Sequence, residues 1–294
     1  MKRFIVALAT LWLMAGCEAG TQPEGLRVFI SVDMEGIAAA TNSGDEMGRA
    51  GYDYDIFREI MTQEANAAVE GALAAGATHI VVRDAHGTAR NILPQMLRPE
   101  AMLMRDWSDG PKGMMEGIDE TFDAVVFVGY HAKAGTPDAI MQHTMSGTVA
   151  DLSINGVSLP EAGLNALIAG HYGVPVVFVA GDQAIIDECL ELFGEIEGAA
   201  VKQGIGVSRS AALSVHPDVA VEMIRAGVEK AVRERAKYEP YTMTPPYTMV
   251  LQLRTRDRMA RGEGYTGAQR TGPLEWTYTS YELMDVVQAF ADLR

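Results

Sequence analysis

The sequence predicts an α/β protein, with a mostly parallel or mixed sheet covered by helices on both faces. Three features carry that expectation. Strand-like apolar runs alternate with helical ones from residue 27 to about residue 254. The apolar runs are nearly continuous, as in 123-DAVVFVGY-130 and 174-VPVVFVAG-181, which is how strands read when both faces are buried. The chain has 294 residues, 48% hydrophobic and 21% charged, enough to fill one large core or two smaller ones.

Taken in order, the first residues are a leader. Lys2 and Arg3 precede an apolar stretch from Phe4 to Met14, too short to span a bilayer as a mature helix. The ending Leu13-Met14-Ala15-Gly16-Cys17 resembles a bacterial lipobox. We therefore expect a lipoprotein-type signal over 1–16, a lipidated Cys17, a polar tether over 17–25, and an exported periplasmic or cell-envelope lipoprotein held at the membrane by its acyl chains. Cys189 is then the only other thiol, and no disulfide can form within the chain.

The body follows as one domain over 26–294. The run 27-RVFI-30 is the first strand, and 54-YDIFREIMTQEANAAVEGALAAG-76 is a helix with Ile56, Ile60, Ala67 and Leu73 at helical spacing. Strands follow at 79-HIVVRDA-85, 101-AMLMRD-106 and 123–130. Residues 160–173 form a helix opened by Pro160 and closed by Gly173, feeding the strand at 174–181. A helix over 182–193 buries Cys189 as a small hydrophobe, and Asp182 caps it. A long helix over 216–237, a strand over 247–254 and a helix from about Tyr281 to Leu293 complete the chain. The stretch 239-EPYTMTPPY-247 marks a boundary to a small C-terminal subdomain.

The polar residues gather at strand ends. In 31-SVDMEG-36, Asp33 and Glu35 stand two apart, so on a strand both would aim at one small volume, where two like charges need a cation. His86 ends the second strand and His131 follows 123–130. In open α/β sheets the ligand crevice lies outside the carboxyl ends of the strands, so three strands deliver metal-capable side chains to one edge. The formal charge of −15 excludes a nucleic-acid partner, because phosphate neutralisation needs Lys and Arg. His79, His171 and His216 take structural or surface roles. His143, on a loop in 139-AIMQHTMSG-147, is either a further ligand or a proton-transfer group. Glu161, in the first turn of its helix, reads as a charge favourably placed on the dipole, and Lys202 as a solvated side chain.

The pieces 31-SVDMEGI-37, 84-DAHG-87, 128-VGYHAKAGTP-137, 141-MQHTMSG-147, 161-EAGLNA-166 and 201-VKQGIGVSRSAA-212, in this order, resemble the zinc-dependent D-aminopeptidases of the DppA type. The resemblance covers nearly all of the chain from Arg27 onward. It implies two Zn²⁺ per subunit, held by Asp33, Glu35, His86, His131 and Glu161 with Asp33 bridging, and a catalytic His143. It also implies release of N-terminal D-amino acids from short peptides. For an exported enzyme these are peptides of peptidoglycan origin. A ring-shaped homo-oligomer, with a decamer as the candidate count, is implied as well. Departures from the family pattern are Arg83 where Asn is common, Pro160 where Gly is common, Gln183 where a second Asp is common, and the leader itself. The alternatives are another dinuclear hydrolase activity, such as phosphoester cleavage, and a non-catalytic lipoprotein that captures peptides or metal.

Overall fold

Residue alternation in the first strand decides the layering. In β1 (Leu26–Val32), Val28, Ile30 and Val32 turn to one core and Phe29 to a second. A computed structural model describes residues 25–206 and 211–294; the signal sequence, Cys17 and nearly all of the tether lie outside the described residues. In chain order the elements are β1, α1 (Ser43–Glu46), α2 (Tyr54–Ala74), β2 (Ala77–Asp84), β3 (Ala101–Met104), β4 (Ala124–Tyr130), β5 (Val149–Ile154), β6 (Val157–Ser158), α3 (Glu161–His171) and β7 (Val176–Asp182). They continue with α4 (Gln183–Phe193), β8 (Glu197–Ile205), β9 (Ala211–Ser214), α5 (Pro217–Arg233), β10 (Tyr247–Leu253), α6 (Arg256–Met259), β11 (Gln269–Gly272), β12 (Glu275–Ser280) and α7 (Leu283–Leu293).

Seven strands form the main sheet in the order β3-β2-β1-β4-β7-β8-β9. All neighbours pair in parallel except β8 with β9. The connections leave β1 toward β2 on one side and return to β4 on the other, so the topological switch point lies between β1 and β4. Helices α2 and α5 cover one face. Their crossing is close because Gly71 of α2 has no side chain: a Cβ there would sit 2.5 Å from the Arg225 carbonyl oxygen. The buried stripe of α2 is Phe57, Met61, Ala65, Ala68 and Ala72, while Ile56 is exposed. The helix is as expected, but its inward face is set by α5 and the sheet rather than by the Ile56 series.

The opposite face of the main sheet is covered by α3, α4 and a second layer that the βα alternation does not predict. That layer is a five-stranded antiparallel sheet, β11-β12-β10-β5-β6, backed by α7. Short strands with polar outward residues, such as 269-QRTG-272, carry too weak a pattern to stand out. The stretch 239–247 leads into this second sheet, but β5 and β6 come from the middle of the chain, so the layer is not built by the C-terminal segment alone. Cys189 is fully buried on α4, and Asp182 caps that helix by accepting from the Ile185 amide at 3.1 Å. Among the described residues no helix is long and apolar enough to cross a membrane.

Candidate metal centre

Three adjacent strands of the main sheet open the site. β1 ends at Val32, so Asp33 and Glu35 lie in the turn beyond it and not on strand positions. The two carboxylates do converge, for a different reason from the one their spacing offers. The turn is stitched to the end of β4: the Asp33 amide donates to the Val128 carbonyl at 2.8 Å and the Gly36 amide to the Gly129 carbonyl at 2.7 Å. Only glycine tolerates this approach. A Cβ on Gly36 would stand 1.8 Å from the Tyr130 carbonyl oxygen, and Gly129 sits at φ +71° with its would-be Cβ 2.2 Å from the Asp33 oxygen.

His86 follows β2 on a loop organised by Asp84. The buried Asp84 carboxylate accepts from the amides of Asn91 (2.5 Å) and Ile92 (2.7 Å), and the Asn91 side chain donates to the His86 carbonyl at 2.6 Å. His131 follows β4. Glu161 opens α3, and its Oε1 accepts from the Met145 amide at 2.6 Å. The geometry thus gives Glu161 more than a favourable place on a helix dipole. His143 comes from the loop between β4 and β5, with its ring stacked on His131 at 4.2 Å and its Nδ1 3.0 Å from the Met141 carbonyl.

These six side chains form two neighbouring triads, Asp33–Glu35–His86 and His131–His143–Glu161, each with candidate ligand atoms within 4.8 Å of one another. Asp33 joins them: its Oδ1 lies 3.2 Å from His86 Nδ1 and its Oδ2 lies 3.5 Å from His131 Nε2. Glu35 Oε2 is 2.8 Å from His86 Nδ1, and Glu161 Oε1 is 3.4 Å from both His131 Nε2 and His143 Nε2. Five of the six are buried, and His143 alone is partly exposed.

The electrostatics are those of a cluster with too much negative charge for its burial. Burial, with Glu35 beside it, raises the Asp33 carboxyl above its ordinary value. Burial pushes the same way at Glu35 and Glu161, but His86 and His131 respectively outweigh it and hold both carboxyls below theirs. In return, the carboxylates overcome the burial of His86 and His131 and raise both imidazoles well above the usual histidine value. The chain's own remedy is therefore to protonate its imidazoles. A divalent cation does the same work with fewer groups and displaces those protons. The donor set fits such ions. His131 Nε2 is buried with no hydrogen-bond partner, aimed between the carboxylates of Asp33 and Glu161, and a mixed imidazole and carboxylate set suits a borderline-soft metal such as zinc.

Lys202 corrects the expectation of a solvated side chain. It is buried on β8, and its Nζ donates to the main-chain oxygens of Glu35 and, at 2.7 Å, of Ala40. Glu64 of α2 grips the same loop through the Ala38 amide at 2.8 Å. The two side chains, far apart in sequence, hold the segment that carries Asp33 and Glu35. Burial pushes the Glu64 carboxyl from 4.5 up to about 7. Its folded value is above its unfolded one, so the bound proton favours the folded state fully below about 4.5, and this contribution is lost as pH rises through about 7. Chemical denaturation of the metal-free protein should show stability falling across that window. Glu64→Gln, which keeps the acceptor for Ala38, should flatten the fall; an unchanged slope would show that Glu64 does not titrate there.

A cavity of about 330 Å³ opens onto the cluster, within the range of sites that enclose small ligands. Trp107, Met114, Met145 and Arg294 supply walls that sequence reasoning did not single out. Trp107 is held by the buried Arg83, whose guanidinium lies 4.6 Å from the indole ring centre. The departure at Arg83 is thus at the pocket wall and not among the ligands.

A family model described as D-aminopeptidase matches residues 26–291. A D-aminopeptidase of Bacillus subtilis (strain 168) is 38% identical over 229 residues, covering 78% of this chain and 81% of its own length. Among solved structures, the Zn-dependent D-aminopeptidase DppA from Bacillus subtilis, described as a self-compartmentalizing protease, matches with a TM-score of 0.86 and 32% identity, over 91% of this chain and 96% of that one. A similarity that starts at β1 and runs into α7, at this level of identity, means that the chain belongs to the D-aminopeptidase family.

Proposed function

We propose that this protein is a dizinc aminopeptidase that removes N-terminal D-amino acids from short peptides. Asp33, Glu35, His86, His131 and Glu161 hold the two ions. The observation that carries this reading is the placement of Asp33, whose two oxygens face imidazoles of different triads, so that it would serve both ions. When bound, a zinc pair would polarise a scissile carbonyl and lower the pKa of a bound water to near ~7.

The chain's own groups do the rest. The cavity floor, lined by Asp33, Glu35 and Glu161, is where the free amino terminus of a substrate sits. His143 is the proton-transfer group. Its Nδ1–H donates to the Met141 carbonyl, which leaves Nε2 as the basic nitrogen facing the cluster. Its partial exposure, against full burial of the five ligands, is what a group that meets substrate requires.

The leader and Cys17 support export and anchoring in the cell envelope, where D-residues occur in peptides of peptidoglycan origin. The name of the DppA relative supports a homo-oligomer, and the native mass of the chain without its leader tests this. The test of the activity is zinc content together with release of D-Ala and L-Ala from otherwise identical dipeptides. Two zinc ions per chain and faster release of D-Ala are expected. Equal rates would remove the stereochemical part, and cleavage of phosphoesters in place of peptides would remove the whole.

A further inference from the structure

Arg294 stands on the cavity wall and, among the described residues, makes no ion pair. Its guanidinium lies beside Phe290, 5.4 Å from the ring centre, and Nη1 donates to the Met145 carbonyl at 3.1 Å. That carbonyl is neutral. Among the described residues no carboxylate forms an ion pair with Arg294, although Glu161 is near enough to act on its charge. A guanidinium cannot shed its proton in a protein and presents five donors in a planar fork that fits a carboxylate in two-point fashion. One hydrogen bond to a carbonyl leaves most of that fork unspent. The metal cluster cannot use it, because the three carboxylates there are matched by imidazoles and, in the proposed holoenzyme, by divalent ions.

Met145 fixes where this charge lies relative to the chemistry. Its amide donates to Glu161 Oε1 at 2.6 Å while its carbonyl accepts from Arg294. With standard backbone lengths, these two links place Nη1 within about 10 Å of the Glu161 oxygen. An extended peptide advances at most ~3.6 Å per residue, so a dipeptide reaches ~7 Å and a tripeptide ~11 Å. A substrate of two or three residues with its amino group at the cluster can therefore bring its far end to Arg294, whereas the end of a longer extended chain lies beyond it.

We propose that Arg294 binds the C-terminal carboxylate of the substrate and thereby selects di- and tripeptides over longer or C-terminally blocked chains. The inference rests on the aminopeptidase reading above. Recognition occurs through the fork of the guanidinium, with Met145 fixing its position and the cavity of about 330 Å³ limiting what lies between the two ends. Arg294 is a specificity residue in this scheme and takes no part in bond cleavage.

The zinc-loaded protein should be assayed with D-alanylglycine and with D-alanylglycinamide, which differ only in the terminal charge. The acid should have the lower KM by about 10- to 100-fold, the range for losing a charge-assisted hydrogen bond. In Arg294→Met this preference should collapse to near one, through KM rather than kcat, with zinc content retained. Arg294→Lys should recover part of it. Equal KM values in the wild-type protein would overturn the proposal without any variant. Loss of zinc from Arg294→Met would also overturn it, by making Arg294 a support of the metal ligands. Calorimetric binding of the acid separates the two readings: an acid bound in preference to the amide but not cleaved would sink the peptidase and leave the carboxylate site standing.

Discussion

Asp33→Asn should release both metal ions and lower peptidase activity by at least about 10³-fold, the scale on which removal of a principal electrostatic element acts. The substitution is nearly isosteric. The Asn oxygen can still accept from the Met34 amide, which Asp33 Oδ1 now does at 2.8 Å, so the turn survives. What disappears is the charge, and with it one of the two anionic oxygens that face His86 and His131. A neutral amide would hold divalent cations far more weakly than the carboxylate does. The metal-free variant should unfold no more easily than the metal-free wild type, because burial and Glu35 make the Asp33 charge unfavourable on its own. Metal content by mass spectrometry and denaturant midpoints check both halves. Two zinc ions retained in Asp33→Asn would remove the bridge from the scheme.

His143→Ala should behave in the opposite way, keeping both ions while losing about 10²- to 10⁴-fold in kcat, the usual contribution of a positioned acid or base. The outcome is informative because the geometry permits two roles. His143 Nε2 belongs to a triad with His131 and Glu161 that has ligand spacing, and His143 is also the one partly exposed residue of the six. If the ring were a ligand, its removal would cost metal. If it moves protons, metal stays and the pH profile of kcat loses a limb. Zinc lost in proportion to activity would reassign it.

Legibility in the sequence followed the range of the interactions. The helices over 161–171, 183–193, 217–233 and 283–293 were readable because their signals are local: periodic apolar residues in all four, Pro160, Asp182 or Pro217 at the start of the first three, and Gly173 or Gly194 after the first two. The strands at 77–84, 124–130 and 176–182 were readable because a strand buried on both faces is apolar throughout. Of the antiparallel layer only the strand at 247–253 was, because the strands of two to six residues at 149–158 and 269–280 take their stability from partners far along the chain.

The same division runs through the site. His86 and His131 were legible as polar residues placed directly after apolar strands. Asp33 and Glu35 were legible as a pair, although a turn stitched to β4 and two glycines bring them together, not strand alternation. Glu161 was visible only by resemblance, since a first-turn glutamate has an ordinary explanation of its own. Nothing local marked Lys202 or Arg294. Their surroundings are a carbonyl of the Glu35 loop and a carbonyl of the loop before β5, contributed from 167 and 149 residues away.

By itself the sequence determined the α/β alternation, the strand ends that bear acids and imidazoles, and the order of motifs that marks the family. The tertiary structure alone decided which of those groups share a volume, that Asp33 faces both triads, that Lys202 is buried beneath the loop carrying Asp33 and Glu35, and that the Arg294 guanidinium stands on the cavity wall. The reason is physical. Backbone propensity and apolar periodicity act over one or two turns of chain, whereas the charge state and partners of a buried group depend on every segment packed around it.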